Sequence, residues 1–181
     1  MILSYFFVLF LFMVKVLIVY DSISGNTEKM AHALKEGVQN SGGEVTIWKT
    51  DEVNIDSLPS FDAYAFGSPT HCGTMSSKMN DFFNNKLHKY WGKLGYKVGV
   101  AFTSSGGLGG GNEITLLSLL SVILNFGIIT FGVPDYVSSG VTLHYGAVSI
   151  KEPGEDELDA CRLLGRKLVE YTKIVKQGTS T

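Results

Sequence analysis

From residue 13 onward, short runs of apolar residues alternate with longer stretches whose apolar positions recur at helical spacing. That alternation restricts the fold more than any other feature. A chain that repeats strand, helix, strand buries its strands in a parallel sheet and covers that sheet with the crossover helices. The strand candidates are residues 14–20, 44–48, 63–67, 97–103 and 127–131. Several are almost continuously apolar, as "VLIVY" is, the pattern of strands covered on both faces. Helical spacing fills the gaps at about residues 26–40, 76–84, 113–126 and 155–175. In the first of these, Thr27, Met30, Leu34 and Val38 share a face, and Gly42 and Gly43 end the helix. In the last, Leu158, Cys161, Gly165, Leu168, Thr172 and Val175 form one stripe, so Cys161 reads as a small core residue. The expectation is an α/β fold of three layers, a doubly wound five-stranded parallel sheet between helices. Several strand orders satisfy the pattern, and in all of them ligands bind at the carboxyl ends of the strands near the switch point.

The 181 residues suffice for one well-cored domain and are short for two. With 15 basic and 17 acidic residues the net charge is −2, which leaves no basic footprint for nucleic acid. Cys72 and Cys161 stand far apart with no CxxC or Cys/His ligand spacing. Neither a metal site nor a disulfide framework is expected, and a reducing cytoplasm fits such a chain. The first twenty residues, "MILSYFFVLFLFMVKVLIVY", carry Lys15 as their only charge and would read as a spanning helix on hydropathy alone. Residues 14–20 lead straight into a Ser/Gly turn and are better used as a buried strand, which leaves residues 1–12 too short to span. They also lack a basic n-region and a small-residue cleavage site. Met13 opens "MVKVLIVYDS", a natural first strand. The expectation is therefore an upstream extension at residues 1–12 and a domain at 13–181, with a membrane anchor or an added edge strand as the alternatives.

Three loops follow the strands. After the first comes "DSISGNT", whose hydroxyls and backbone N–H groups gather at a helix start and suit an anion such as a phosphate. An ordinary capped helix uses the same residues, so both readings stand at this point. The Walker pattern is absent, which argues against a nucleotide triphosphatase. After the third strand comes "GSPTHCGTMSSKM", in which Pro69 and Gly73 shape a loop able to lay peptide groups against a flat ring. The phosphatase pattern CxxxxxR fails there because Lys78 holds the arginine position. His71 is a candidate acid or base, and equally a solvent-facing histidine. After the fourth strand comes "TSSGGLGGGNEIT", with five glycines in the six positions 106–111. Only glycine lets a backbone approach a ligand so closely. The spacing is not GxGxxG, so a resident dinucleotide of the Rossmann type is not supported.

In their order and strand placement, "SISGNTEKMA", "FGSPTHCGTMSSKM", "TSSGGLGGGNEIT" and "HYGA" make nearly the whole chain from Met13 similar to one family. It resembles the flavodoxin-like NAD(P)H:quinone oxidoreductases of the tryptophan-repressor-binding-protein (WrbA) type. The resemblance implies a sheet of order 2-1-3-4-5 that binds FMN. On that mapping Ser22, Ile23, Ser24, Gly25, Asn26 and Thr27 would hold the FMN phosphate. Pro69, Thr70, His71, Cys72, Gly73, Thr74 and Met75 would face the ring system. Ser104, Ser105, Gly106, Gly107, Gly109, Gly110, Gly111 and Asn112 would wrap its pyrimidine side. Trp91, Phe126 and Tyr145 are the candidates to line a substrate pocket on the remaining open face.

The chain departs from the resemblance in places. Family members usually read "PTRFGNM", where His71, Cys72 and Thr74 stand here, so contacts through the backbone carry over and a role for the arginine does not. The family's paired histidines before a glycine are Asn125 and Phe126 here. Shorter loops weaken the inference to a tetramer and leave a homodimer or homotetramer as the expected assembly. No group of acid, base and nucleophile stands out, so no protein residue is expected to be catalytic and the chemistry falls to FMN. The implied activity is transfer of two electrons from NAD(P)H to a quinone, with a flavodoxin-type electron carrier as the alternative. A phosphoacceptor receiver domain would need an aspartate where Gly67, Ser68 and Pro69 stand.

Overall fold

The computed structural model describes residues 13–133, 137–139 and 141–179. The expected extension at residues 1–12 lies outside them. Strand β1 (Lys15–Tyr20) lies inside the sheet, with the edge strand β2 (Glu44–Lys49) on one side and the central strand β3 (Ala63–His71) on the other, both parallel to it. Strand β5 (Val98–Ser105) pairs in parallel with β3 and with the short strand β6 (Ile129–Thr130), and the order runs β2-β1-β3-β5-β6. This is the expected 2-1-3-4-5 arrangement, with β5 and β6 as its fourth and fifth strands.

The expected fifth strand at 127–131 needs correction. Only β6 (Ile129–Thr130) pairs there, against Val98 and Gly99 at the start of β5. The other half of β5 is covered by β7 (Ala147–Ile150), which pairs with Phe102 to Ser105. Two short segments thus share one long neighbour.

Helix α1 (Asn26–Asn40) and helix α4 (Glu155–Thr179) cover one face of the sheet, packing Met30, Leu34, Cys161, Leu164 and Leu168 against Val16, Ile18 and Val100. Burial also raises the Cys161 thiol far above its ordinary range, as suits an inert core thiol. The two helices approach so closely that a Cβ on Gly165 would stand 2.2 Å from the Leu34 carbonyl oxygen, which explains the glycine in the apolar stripe. Helix α2 (Ser77–Asp81) and helix α3 (Asn112–Asn125) cover the other face with Met79, Leu116, Leu119 and Ile123 over Leu17, Tyr64 and Phe66. Complete burial of a side chain such as Phe66 contributes about 1.5–3 kcal/mol.

The helix expected at 76–84 is shorter than drawn. After α2 the chain loosens into a π turn at Phe82–Lys86 and a 3-10 turn at Leu87–Tyr90. A further 3-10 segment at Ile55–Ser60, with Pro59 inside it, has no helical spacing to announce it.

Candidate functional site

The loops that follow β1, β3 and β5 meet at the carboxyl edge of the sheet. In the first loop Gly25 precedes α1 with φ 86°, and this N-cap position has no side chain to offer. The Ser22 hydroxyl instead folds back over the turn and accepts from the Gly25 N–H at 3.1 Å and from the Glu28 N–H at 3.4 Å. Helix geometry leaves the first N–H groups of α1 without intrahelical acceptors, and they point out of its end with the positive pole of the helix. No lysine competes for that position, because the Lys29 ammonium pairs with Glu152 and the Glu28 carboxylate is turned toward Tyr20 and Lys49. The Tyr20 hydroxyl donates to Glu28 Oε1 at 2.7 Å, which holds that carboxyl below its ordinary range and, with burial as the larger cause, pushes the phenol up. The result is a helix start of backbone N–H groups and the Ser22 hydroxyl, an arrangement that suits an anion. Ile23 and Ser24 stand exposed at its rim, Ile23 at 79%.

The second loop is tighter than its sequence suggests. Strand β3 continues to His71, turns through Cys72 (φ 51°) and Gly73 (φ 80°), and returns as β4 (Thr74–Met75). Positive φ at both turn residues is the geometry of a type I′ hairpin. Cys72 is exposed at the tip, whereas Met75 is buried in the core beneath. In the third loop, Ser104 and Ser105 end β5 buried, and the glycine run rises from them to Leu108, which is 90% exposed.

What joins the loops is a set of hydroxyls and one close backbone approach. Thr27 Oγ1 and Ser104 Oγ share a hydrogen bond of 2.8 Å, linking the first loop to the third. Thr70 Oγ1 lies 3.2 Å from Thr103 Oγ1, 3.3 Å from Asn112 Oδ1 and 2.9 Å from Thr115 Oγ1, linking the second to the third. A Cβ on Gly111, already at φ 97°, would stand 3.1 Å from the Gly73 Cα. Ser105 Oγ donates to the Gly107 carbonyl at 3.0 Å. Thr27, Thr70, Ser104, Ser105 and Asn112 therefore brace the loops with their side chains. Gly25, Gly73, Gly106, Gly107 and Gly109 present open space where a Cβ would be. Thr103 and Thr115 belong to the brace and were not among the sequence candidates. The signal for Thr115 was a hydroxyl four residues after a glycine in an otherwise apolar helix.

Tyr145 lines a cleft of about 530 Å³ with Leu108, Gly110, Leu116 and Val148, so it lies beside the third loop. Trp91 and Phe126 do not line this cleft. Their rings meet 5.5 Å apart, but Phe126 follows the last turn of α3 and Trp91 precedes β5. A helix of 14 residues carries the chain about 21 Å, from the carboxyl edge back to the amino edge. Charge follows the same polarity. Asp21, Asp51, Glu52, Glu113 and Glu152 stand at the carboxyl edge with the first-turn acids of α4, facing Lys29, Lys78 and Lys151. The Lys78 ammonium, 3.1 Å away, holds the Asp51 carboxyl below its ordinary range.

The family model for flavodoxin matches residues 18–114, which span the three loops and the strands that carry them. A flavodoxin of Aquifex aeolicus is 46% identical over 91% of this chain and 90% of its own length. The chain belongs to the flavodoxin family. It is also 32% identical to an NAD(P)H dehydrogenase (quinone) of Archaeoglobus fulgidus, over 89% of this chain and 98% of that one. Among solved structures, a flavodoxin, WrbA-like protein from Agrobacterium tumefaciens superposes with a TM-score of 0.73 at 27% identity, covering 89% of this chain and 98% of that one. The resemblance drawn from the loop motifs is thus matched across nearly the whole chain. FMN is the cofactor of this family, and the residues present fit it. A helix start behind a glycine N-cap, with the Ser22 hydroxyl beside it, suits one phosphate, and glycine backbone stands open nearby where a flat ring system must approach.

Proposed function

We propose that this member of the flavodoxin family is an FMN-dependent NAD(P)H dehydrogenase that passes two electrons to a quinone or a similar planar acceptor. The observation that carries the reading is the bracing of three loops around one approach, through Thr27–Ser104 and Gly73–Gly111. The α1 terminus would hold the phosphate, the Cys72–Gly73 hairpin would lie along the ring system, and the glycine run with Asn112 would cover its pyrimidine side. Bound FMN supplies the exchange of a hydride equivalent; the chain binds, orients and leaves one side open. Nicotinamide and quinone must then take turns there, because transfer requires a separation of about 3–3.5 Å that a second planar guest would prevent. Several NAD(P)H dehydrogenase (quinone) relatives at 32–34% identity support the reading. Assembly as a homodimer or homotetramer in the cytoplasm belongs to the same proposal, and sedimentation velocity reads the assembly.

The second reading, a carrier that hands electrons to partner proteins, is favoured by a specific observation. The 46% identity to a flavodoxin of Aquifex aeolicus exceeds the 32–34% shared with the NAD(P)H dehydrogenase (quinone) relatives. Steady-state oxidation of NAD(P)H by FMN-loaded protein separates the two. The enzyme reading predicts parallel double-reciprocal lines at several quinone concentrations, with quinone competing against NAD(P)H. Intersecting lines would remove the shared site, and no oxidation of NAD(P)H at all would favour the carrier.

A further inference from the structure

The outer surface of α3 differs from those of the other long helices. Lys29, His32 and Glu36 of α1 and Arg166 and Glu170 of α4 face solvent, as the outer positions of a surface helix usually do. On α3 the exposed positions are Glu113, Ile114, Leu117, Ser121, Leu124 and Asn125. Ile114 and Leu124 are each 60% exposed, and Leu117 is 48% exposed. The chain has 15 basic and 17 acidic residues, yet from 114 to 150 the only charged one is Asp135. The serines add no free donor, because Ser118 Oγ donates to the Ile114 carbonyl at 2.7 Å and Ser121 Oγ to the Ser118 carbonyl at 2.8 Å. Helix dipoles order charge along a helix and do not account for an apolar side that has none. A stripe of this kind is buried in most folds and marks an interaction surface where it meets solvent.

Helical spacing makes the stripe complementary to itself. Leu119, at the middle of α3, is buried in the core with Tyr64 and Phe66, so the opposite side of that turn is the middle of the stripe. A second α3 laid antiparallel across this point, about a two-fold axis, sets Ile114 of one copy against Leu124 of the other and Leu117 against Ser121. A large side chain meets a small one twice. At the rim Glu113 meets Asn125, a carboxylate against an amide able to donate to it. The two Glu113 carboxylates stay about 18 Å apart along the paired helices, beyond the roughly 8 Å over which exposed charges act at physiological salt. A stable interface takes about 800 Å² from each partner, more than one helix provides. Leu108, 90% exposed before α3, and Ile129, 46% exposed beyond its end, extend the apolar surface, and antiparallel pairing brings the Leu108 end of one copy to the Ile129 end of the other.

We infer that α3 is the surface through which two copies of this chain pair, antiparallel about a two-fold axis between Leu117 and Ser121. The inference gives the self-association proposed above a surface, and it rests on that part of the reading and not on the redox reaction. A lipid membrane is the poorer occupant, because the stripe has no basic side chain to meet phosphate headgroups. A partner of different sequence has no need of the match of large to small and acid to amide that one register of two identical helices provides. Thr74 Oγ1 donates to Ser118 Oγ at 3.1 Å, so the two copies meet beside the β3–β4 hairpin.

Sedimentation velocity of the FMN-loaded full chain tests it. The parent should sediment as a dimer or a larger even assembly at micromolar concentration. Leu117→Glu, Leu117→Lys and Ser121→Glu change exposed positions to residues that helices accept. Each should weaken pairing at least about 100-fold by burying an unpaired charge, with helix content by circular dichroism and flavin absorbance unchanged. Mixing the Leu117→Lys chain with the Ser121→Glu chain should restore a mixed dimer, because the antiparallel register sets the new ammonium against the new carboxylate. Mutual rescue is a result that misfolding of either variant would not give. A parent that stays monomeric, or that binds neutral vesicles instead of itself, would overturn the proposal. An assembly that Leu117→Glu leaves intact would overturn this face while leaving the self-association itself standing, and a mixture that stays monomeric would overturn the antiparallel pairing.

Discussion

At the carboxyl edge the chain leaves each strand into backbone that is open on one side and braced on the other. Thr27, Ser104, Thr70 and Gly111 spend their side chains, or the lack of one, on holding the loops together. At the amino edge the connections are short turns closed by their own hydrogen bonds, as Trp91 N–H to the His88 carbonyl at 3.0 Å and Lys93 N–H to the Tyr90 carbonyl at 2.9 Å. Charge alone does not tell a binding edge from a closing one. All the long helices begin at the carboxyl edge and end at the amino edge, and their dipoles favour acids at the first and lysines at the second whatever the function. What sets the carboxyl edge apart is the start of α1 behind a glycine N-cap, with a run of glycines beside it that hydroxyls brace from loop to loop.

The comparison breaks most visibly if the brace is removed. Gly111→Val combines an unfavourable φ with a clash against Gly73. The strain, about 1–3 kcal/mol, should appear as a roughly 10- to 100-fold loss of FMN affinity in fluorescence titrations, with the sheet intact by circular dichroism. Thr27→Val comes next. It leaves the buried Ser104 hydroxyl unpartnered, so stability in urea should fall by about 1–3 kcal/mol, with a smaller loss of FMN affinity.

A weaker effect comes from acid. The Glu28 carboxyl is held down by the Tyr20 hydroxyl first and by Lys49, so its folded-state value lies below the unfolded one. Its contribution is present above the ordinary carboxylate range and is lost as pH falls through the depressed value. Melting curves should show Glu28→Gln slightly less stable than the parent at neutral pH, with the gap closing as pH falls below the ordinary carboxylate range. The smallest effect sharpens the contrast by its absence. Trp91→Phe at the amino edge should leave FMN affinity unchanged, and a loss of tenfold or more would place Trp91 at the flavin site after all.

Much of this was readable in advance. Strands β1, β2, β3 and β5 announce themselves because burial on both faces demands nearly unbroken apolar runs. Strand β7 does not, since "AVSI" is four residues long and is a strand only because half of β5 lies open to it. The β3–β4 hairpin escaped because Cys72 takes a left-handed conformation that side chains other than Gly, Asn or Asp rarely adopt. The loop residues were legible as a set, but not the division of labour within them. Whether Thr70 faces a ligand or Thr115 depends on tertiary contacts 45 residues apart in sequence. Nor does aromatic character show which end of the sheet Trp91 and Phe126 reach.

The central claim is that the open α1 terminus holds a single phosphate in a site made of backbone. Titrating the apoprotein with FMN, riboflavin and FAD tests it most directly. Charge-assisted hydrogen bonds contribute about 1.5–3 kcal/mol each. FMN should therefore bind at least about 100-fold more tightly than riboflavin, with FAD weaker than FMN because the turn offers no place for a second phosphate. Riboflavin binding as tightly as FMN would show that the terminus holds no phosphate and would contradict the account.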